Sequence, residues 1–233
     1  MHPMSPMSPA SPHSPPRPDS RGSRVWLALL VPSVVLLLLV AYEWGPLLSL
    51  DGDIARTTHR WAVTHDGLTR TSRVLTDWVW DPWTMRALCA VAVVWLAVRR
   101  DGWPALWVAG TCAVGTGLQQ GLKAAVDRPR PVWPDPVDSA HYAAFPSGHA
   151  MTATVVLGLL LWLLRRHGAG PLLWRTAVGL AVLSVAGVGL TRVWLGVHWM
   201  SDVVEGWLLG ALVVAVAVTT YAYGPGRRET GRT

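Results

Sequence analysis

Lys123, the only lysine in the sequence, closes an uncharged run that begins at Gly102. Arg130 follows seven residues later, before Pro131. Pro146-Ser147-Gly148-His149 opens a second apolar run, Arg192 closes a third, and His198 and Asp202 open a fourth. Three cations here meet no equal set of carboxylates, so a site built from them takes an anion. Arginine forks and a lysine point charge suit phosphate oxygens. Gly148 allows close backbone approach, and Ser147 at a helix start adds a hydroxyl and free N–H groups. His198 and Asp202 are four apart and share a helix face. A histidine held through one ring nitrogen by a carboxylate is oriented and made more basic. His149 is then available as general acid for a leaving group. No close cluster of carboxylates or cysteines accompanies the histidines, so no metal site and no cofactor is expected. The chemistry that fits is metal-independent phosphoryl transfer through a phosphohistidine.

Taken singly, these residues have ordinary roles as well. Lys123 and Arg192 serve equally as interface anchors, with stems along lipid and heads in water. Pro146 to His149 reads as a turn with a cap, and His198 with Asp202 as a stabilising helix pair. Asp127, Asp135 and Asp138 read as plain loop charges and receive no role. The set as a whole is harder to dismiss, because an ionisable group at membrane depth is a functional candidate.

Membrane depth follows from composition. Of 233 residues, 51% are apolar and only 15% charged, whereas soluble domains carry about 25% charged residues. The two cysteines, Cys89 and Cys112, lie in apolar runs, which excludes a disulfide-rich fold and a cysteine zinc site. Apolar periods predict an all-α polytopic membrane protein, a six-helix bundle with helices near 25–43, 80–98, 102–123, 149–165, 171–191 and 199–222. The shorter runs reach the roughly 20 residues a bilayer requires only by extending through a flanking polar residue. By parity, the end of the third helix, the start of the fourth, the end of the fifth and the start of the sixth share one membrane face. The candidate site is at that face.

Residues 1–24 carry Ser-Pro repeats that oppose both helix and strand, and read as a disordered cytoplasmic tail. Residues 25–222 form the helical domain and 223–233 a short basic tail. With a cytoplasmic N-terminus, Arg17, Arg21, Arg24, Arg99, Arg100, Arg165, Arg166, Arg175, Arg227, Arg228 and Arg232 fall inside, while Arg56, Arg60, Arg70, Arg73, Lys123, Arg128, Arg130 and Arg192 fall outside, and the short inner connections decide the orientation. That places both termini in the cytoplasm and the site on the extracytoplasmic face of the cell membrane. The segment from Glu43 to Trp78 is outside, either lying on the bilayer surface and gating access or forming a plain loop. Trp78, Trp80, Trp83, Trp194 and Trp199 read as an interfacial aromatic belt.

The residues Lys123, Arg130-Pro131, Pro146-Ser147-Gly148-His149, Arg192, His198 and Asp202 resemble the tripartite pattern of the type-2 phosphatidic acid phosphatase family. Thr191 stands where that family usually has serine, and a hydroxyl is kept. The resemblance implies His198 as nucleophile, Asp202 as its orienter and His149 as acid. It also implies Lys123, Arg130, Ser147, Gly148 and Arg192 as holders of phosphate. Compact bacterial members commonly act on undecaprenyl diphosphate, phosphatidylglycerol phosphate or phosphatidic acid. The expected partners are therefore a lipid phosphate substrate and membrane lipids, with undecaprenyl diphosphate favoured. A vanadate-dependent haloperoxidase shares the motifs but is soluble and larger, which six apolar runs oppose. A non-catalytic lipid-binding or transport protein would be expected to have a broken catalytic set. Nucleic-acid binding is disfavoured, since the basic residues follow membrane topology and form no continuous stripe. Oligomeric state, and the roles of Arg86 and Glu205, are open at this level.

Overall fold

Proline, glycine and capping carboxylates divide the chain into helices. Asp81 caps one by accepting from the N–H groups of Trp83 (2.8 Å) and Thr84 (3.4 Å), with Pro82 at its first position. Pro171 opens another after Gly170. Asp127 ends a third in the left-handed conformation, φ +44°. The computed structural model describes residues 20–221, with side chains from Arg24 onward. The tail expected over 1–24 is outside the described residues as far as residue 19, and the basic tail expected over 223–233 wholly so.

The elements are α1 (Ser20–Ala41), α2 (Gly45–Thr64), α3 (Asp66–Val74), a π-helical turn (Leu75–Val79), α4 (Pro82–Val98), α5 (Gly102–Val126), α6 (Gly148–Arg166), α7 (Pro171–Trp194) and α8 (Met200–Tyr221). No strand occurs among the described residues. α6 is the hub: it packs against α8, α7, α4 and α5, while α1 lies on α8. Half of its apolar stretch is buried in the bundle, against a third or less for the other candidate spans.

Five helical segments are long and apolar enough to cross a membrane: Arg24–Ala41, Asp66–Val98, Gly148–Arg166, Pro171–Trp194 and Met200–Tyr221. Outward-facing rows such as Val91, Val94 and Val98 on α4 and Leu180, Val182 and Leu183 on α7 are exposed. Apolar surface of that extent belongs against lipid, and the chain is a multi-pass membrane protein. α5, expected as the third span, falls outside those five because glycines, threonines, Gln119 and Gln120 dilute its apolarity.

Small residues set the closest contact. Gly206 and Gly210 are one turn apart on the face of α8 that meets α6. A Cβ on Gly206 would come 2.8 Å from the Ser147 carbonyl oxygen, and one on Gly210 would come 2.7 Å from Thr154 Cβ. The Ser147 N–H donates to the Asp202 carbonyl at 2.9 Å, which joins the start of α6 to the start of α8.

The segment from 43 to 78, expected outside the membrane, is largely helical rather than a loop. Asp51, Ala55, His59 and Ala62 recur at helical spacing and are the buried face of α2, which packs on α7 and α8. Thr69 of α3 donates to the Ala62 carbonyl at 2.7 Å and accepts from Trp194 Nε1 at 3.0 Å. The sequence reading missed this because the buried face carries an aspartate and a histidine.

Candidate active site

All eight expected residues collect at one end of the bundle. Lys123 is in the last turn of α5 and Arg192 in the last turn of α7. Ser147 precedes α6, and Gly148 and His149 begin it. His198 sits in the turn between α7 and α8, and Asp202 lies in the first turn of α8. Arg130 comes from the α5–α6 loop. Lys123, Arg130, Gly148, His149, Arg192 and His198 line one cavity of about 650 Å³. Ser147 and Asp202 are fully buried and do not line it.

The turn that carries His198 is fixed from several directions. Gly196 holds φ +69°, a conformation that suits glycine, and a Cβ there would come 2.6 Å from Trp133 Nε1. Trp133 donates to the Gly196 carbonyl at 2.9 Å and stacks on His59 at 4.1 Å between centroids. His59 in turn donates through Nε2 to Asp135 at 3.0 Å. Arg130 donates to the Val197 carbonyl at 2.5 Å and to the Tyr142 carbonyl at 2.9 Å.

His198 donates from Nδ1 to Asp202 Oδ2 at 3.2 Å, because a carboxylate can only accept. Nε2 is thereby the ring's lone-pair nitrogen, and it accepts from Arg130 Nη1 at 3.1 Å. Burial, followed by the charges of Arg130, Arg192 and Lys123, holds the His198 imidazole well below its ordinary pKa of 6.5. It is therefore neutral at neutral pH. Arg130 is pushed down to about 10 by burial and then by Arg192, and stays cationic.

Lys123 donates through Nζ to the Ala143 carbonyl. Arg192 Nε and Ser147 Oγ are buried without a hydrogen-bond partner among the described residues. Buried donors are normally satisfied, and Arg192 lines the cavity, so its Nε is positioned for an acceptor from outside the chain. Gly148 has a neighbour that the sequence did not disclose: a Cβ there would press on the Gln119 amide, which would have to shift.

Several participants were missed or left open. Gln119 lines the cavity one turn before Lys123 on the same face of α5, a spacing that was legible. Asp138, read as a plain loop charge, lines the cavity with Oδ2 3.5 Å from Arg192 Nη1. Arg86 reaches the cavity from α4 and extends the site. Glu205 does not; it accepts from Ser33 of α1 at 2.6 Å. Arg128, counted only as an outer charge, is buried and bonds Asp202 and Asp51. Of the expected aromatic belt, Trp78 and Trp83 are exposed, but Trp80 packs on Gly187, and Trp194 and Trp199 hold Thr69 and the Pro129 carbonyl.

A family model described as PAP2 superfamily matches residues 104–224. Phosphatidylglycerophosphatase B of Bacillus subtilis is 35% identical over 118 residues, covering 48% of this chain and 54% of that protein. Undecaprenyl-diphosphatase of Sulfolobus acidocaldarius is 36% identical over 93 residues, 40% of this chain and 38% of that one. Decaprenylphosphoryl-5-phosphoribose phosphatase of Mycobacterium tuberculosis is 36% identical over 138 residues, 58% of this chain and 68% of that one. The chain thus spans about half the length of the Bacillus protein and less of the Sulfolobus one. A crystal structure of a transmembrane PAP2-type phosphatidylglycerolphosphate phosphatase from Bacillus subtilis superposes with a TM-score of 0.71 at 23% identity, over 82% of this chain and 93% of that one. One family model covering more than half of the sequence places the chain in the PAP2 superfamily.

Proposed function

We propose that the protein is an integral-membrane phosphatase that removes phosphate from a lipid through a phosphohistidine on His198. The observation that carries this is the disposition of the His198 ring. Nδ1 is held by Asp202, and Nε2 presents its lone pair to Arg130 at the wall of a cation-lined cavity. A phosphoryl group held by Arg130, Lys123 and Arg192 would lie against that lone pair. Charge on the transferring group is met by fixed cations already in place, which is how phosphoryl transfer is electrostatically stabilised.

The steps balance as follows. His198 Nε2 forms a bond to phosphorus as the bond from phosphorus to the leaving oxygen breaks. His149 gives its proton to that oxygen. Water then attacks phosphorus and loses a proton to His149 as the N–P bond breaks, which returns both histidines to their starting state. A phosphate bound beside His149 favours the protonated imidazole that the first step uses, and no step uses a metal.

The substrate is a lipid, because the cavity opens at the end of helices whose outer faces are apolar. Two relatives bear names that refer to prenyl lipids, which supports a polyprenyl phosphate or diphosphate, with undecaprenyl diphosphate as the test compound. Six helices cross the bilayer in this reading, with α5 added to the five apolar segments. Arginine placement supports cytoplasmic termini and a cavity on the outer face.

The experiment is phosphate release by purified protein in detergent with EDTA. Undecaprenyl diphosphate, phosphatidylglycerol phosphate and phosphatidic acid are compared side by side. Preferential turnover of the prenyl substrate is expected. Comparable turnover of all three would replace it with a broad lipid phosphatase, and no turnover by folded protein would leave a non-catalytic lipid-handling protein.

A further inference from the structure

Asp202 has a second partner that the reaction as described does not use. Its Oδ2 accepts from His198 Nδ1 and from the Trp199 N–H, while Oδ1 accepts from Arg128 Nη1 at 2.7 Å. Arg128 Nη2 donates in turn to Asp51 Oδ2 at 2.8 Å. Ser201 closes the set: its N–H donates to Asp51 Oδ1 at 3.0 Å, its hydroxyl donates to Asp51 Oδ2, and that hydroxyl accepts from Arg128 at 2.7 Å. Asp51 is 2% exposed, Arg128 8% and Asp202 0%. None of the three lines the cavity, so Arg128 is spent on carboxylates rather than on phosphate.

We propose that Asp51 and Arg128 are positioning residues for the phosphoryl transfer, forming with Asp202 a buried triad that fixes and charge-balances His198. This rests on His198 being the nucleophile. One guanidinium between two carboxylates leaves a net charge of −1 behind the imidazole. When Nε2 attacks phosphorus and Nδ1 keeps its proton, the ring gains one positive charge, which that −1 matches. Without Asp51, Arg128 and Asp202 cancel, and nothing behind the ring balances the charge that develops. Arg128 also fixes Oδ1, so that Oδ2 remains aimed at Nδ1 and the lone pair stays on Nε2. Buried charges are tolerated only when paired and hydrogen-bonded, and every oxygen of both carboxylates is accounted for. Helix α2 thereby takes part in the chemistry from outside the cavity.

An architectural clamp fastening α2 to the bundle would use the same bonds, so the test reads the imidazole as well as turnover. In Asp51→Asn the side chain keeps its shape and an acceptor for Ser201 but loses the charge. An opposite charge near an ionising group shifts its equilibrium by roughly ten- to a thousandfold, and one a step removed falls at the lower end. The full-length purified protein should lose roughly ten- to a hundredfold in kcat with KM within about threefold. In spectra of ¹⁵N-histidine protein, the His198 signals, assigned by their loss in His198→Ala, should move from the single Nδ1–H tautomer to a mixture. A kcat within about threefold of wild type overturns the proposal. So does a kcat that falls only with the folded fraction while the tautomer is unchanged.

Should Asp51→Asn not fold, Arg128→Gln is compared with Asp51→Asn/Arg128→Gln, which restores the net charge of −1. The double variant should have the higher kcat, and equal values overturn the proposal. A folded wild type that releases no phosphate defeats the function and not this inference, which the tautomer then decides alone: the same tautomer in wild type and Asp51→Asn overturns it.

Discussion

Replacing Asp202 by asparagine isolates the orienting carboxylate, because the two side chains have the same shape. Asp202 accepts from His198 Nδ1, the Trp199 N–H and Arg128. An asparagine amide nitrogen must face one side or the other. Facing His198, it donates to Nδ1 and forces the proton onto Nε2, which removes the lone pair that attacks phosphorus. Facing Arg128, it sets donor against donor in a buried site and leaves Arg128 only Asp51 and Ser201. Hydrogen bonds to charged groups contribute about 1.5–3 kcal/mol each, so losing two costs about 3–6 kcal/mol. At about 1.4 kcal/mol per factor of ten, kcat should fall by roughly 10²- to 10⁴-fold. Since Asp202 does not line the cavity, the inhibition constant of inorganic phosphate should change by less than about threefold. The assay is steady-state phosphate release with phosphate as competitive inhibitor, on protein checked for a single monodisperse peak in detergent. A folded variant with near-normal kcat, or one that loses phosphate affinity at unchanged kcat, would refute the orienting role.

Three further outcomes are expected. Arg130→Ala removes a charge-assisted clamp on the cavity wall and should raise KM by roughly ten- to a hundredfold, from about 1.5–3 kcal/mol; an unchanged KM contradicts its placement. Gly210→Val places Cβ 2.7 Å from Thr154 Cβ and 3.0 Å from the Met151 carbonyl. It should cost about 1–3 kcal/mol of stability and lower activity by parting His149 from His198, read by thermal unfolding in detergent. The His198 pKa is lowered by burial and by Arg130. As pH falls through about 6.5 the unfolded chain therefore takes up a proton that folded His198 refuses, and stability declines. Between about pH 8 and pH 5 the wild type should lose more thermal stability than His198→Gln, and parallel curves would refute the shift.

The helices and the site were legible in the sequence to different depths. Apolar runs located α1, α4, α5, α6, α7 and α8 because a bundle in lipid presents apolar side chains both inward and outward. Parity alone then gathered Lys123, His149, Arg192 and His198 at one end, since alternating helices return to the same face. Local spacing paired His198 with Asp202 one turn on. What escaped depended on contacts distant along the chain. Asp51 and Arg128 are 77 positions apart, and nothing local marks Arg128 as the partner of a carboxylate and Arg130 as the residue at the cavity. α2 escaped for a related reason: its inward face carries Asp51 and His59, so its period is visible only once polar positions are counted as buried. Asp138 belongs to an irregular loop whose path no periodicity constrains.

The central claim is that phosphate passes through His198. The most direct measurement is rapid acid-free quenching of the protein with lipid substrate labelled in its terminal phosphate, followed by mapping of the labelled peptide. The account predicts a base-stable, acid-labile phosphoryl group on His198 Nε2, formed before free phosphate and absent in His198→Ala. Label on another residue, or undiminished turnover by His198→Ala, would contradict it.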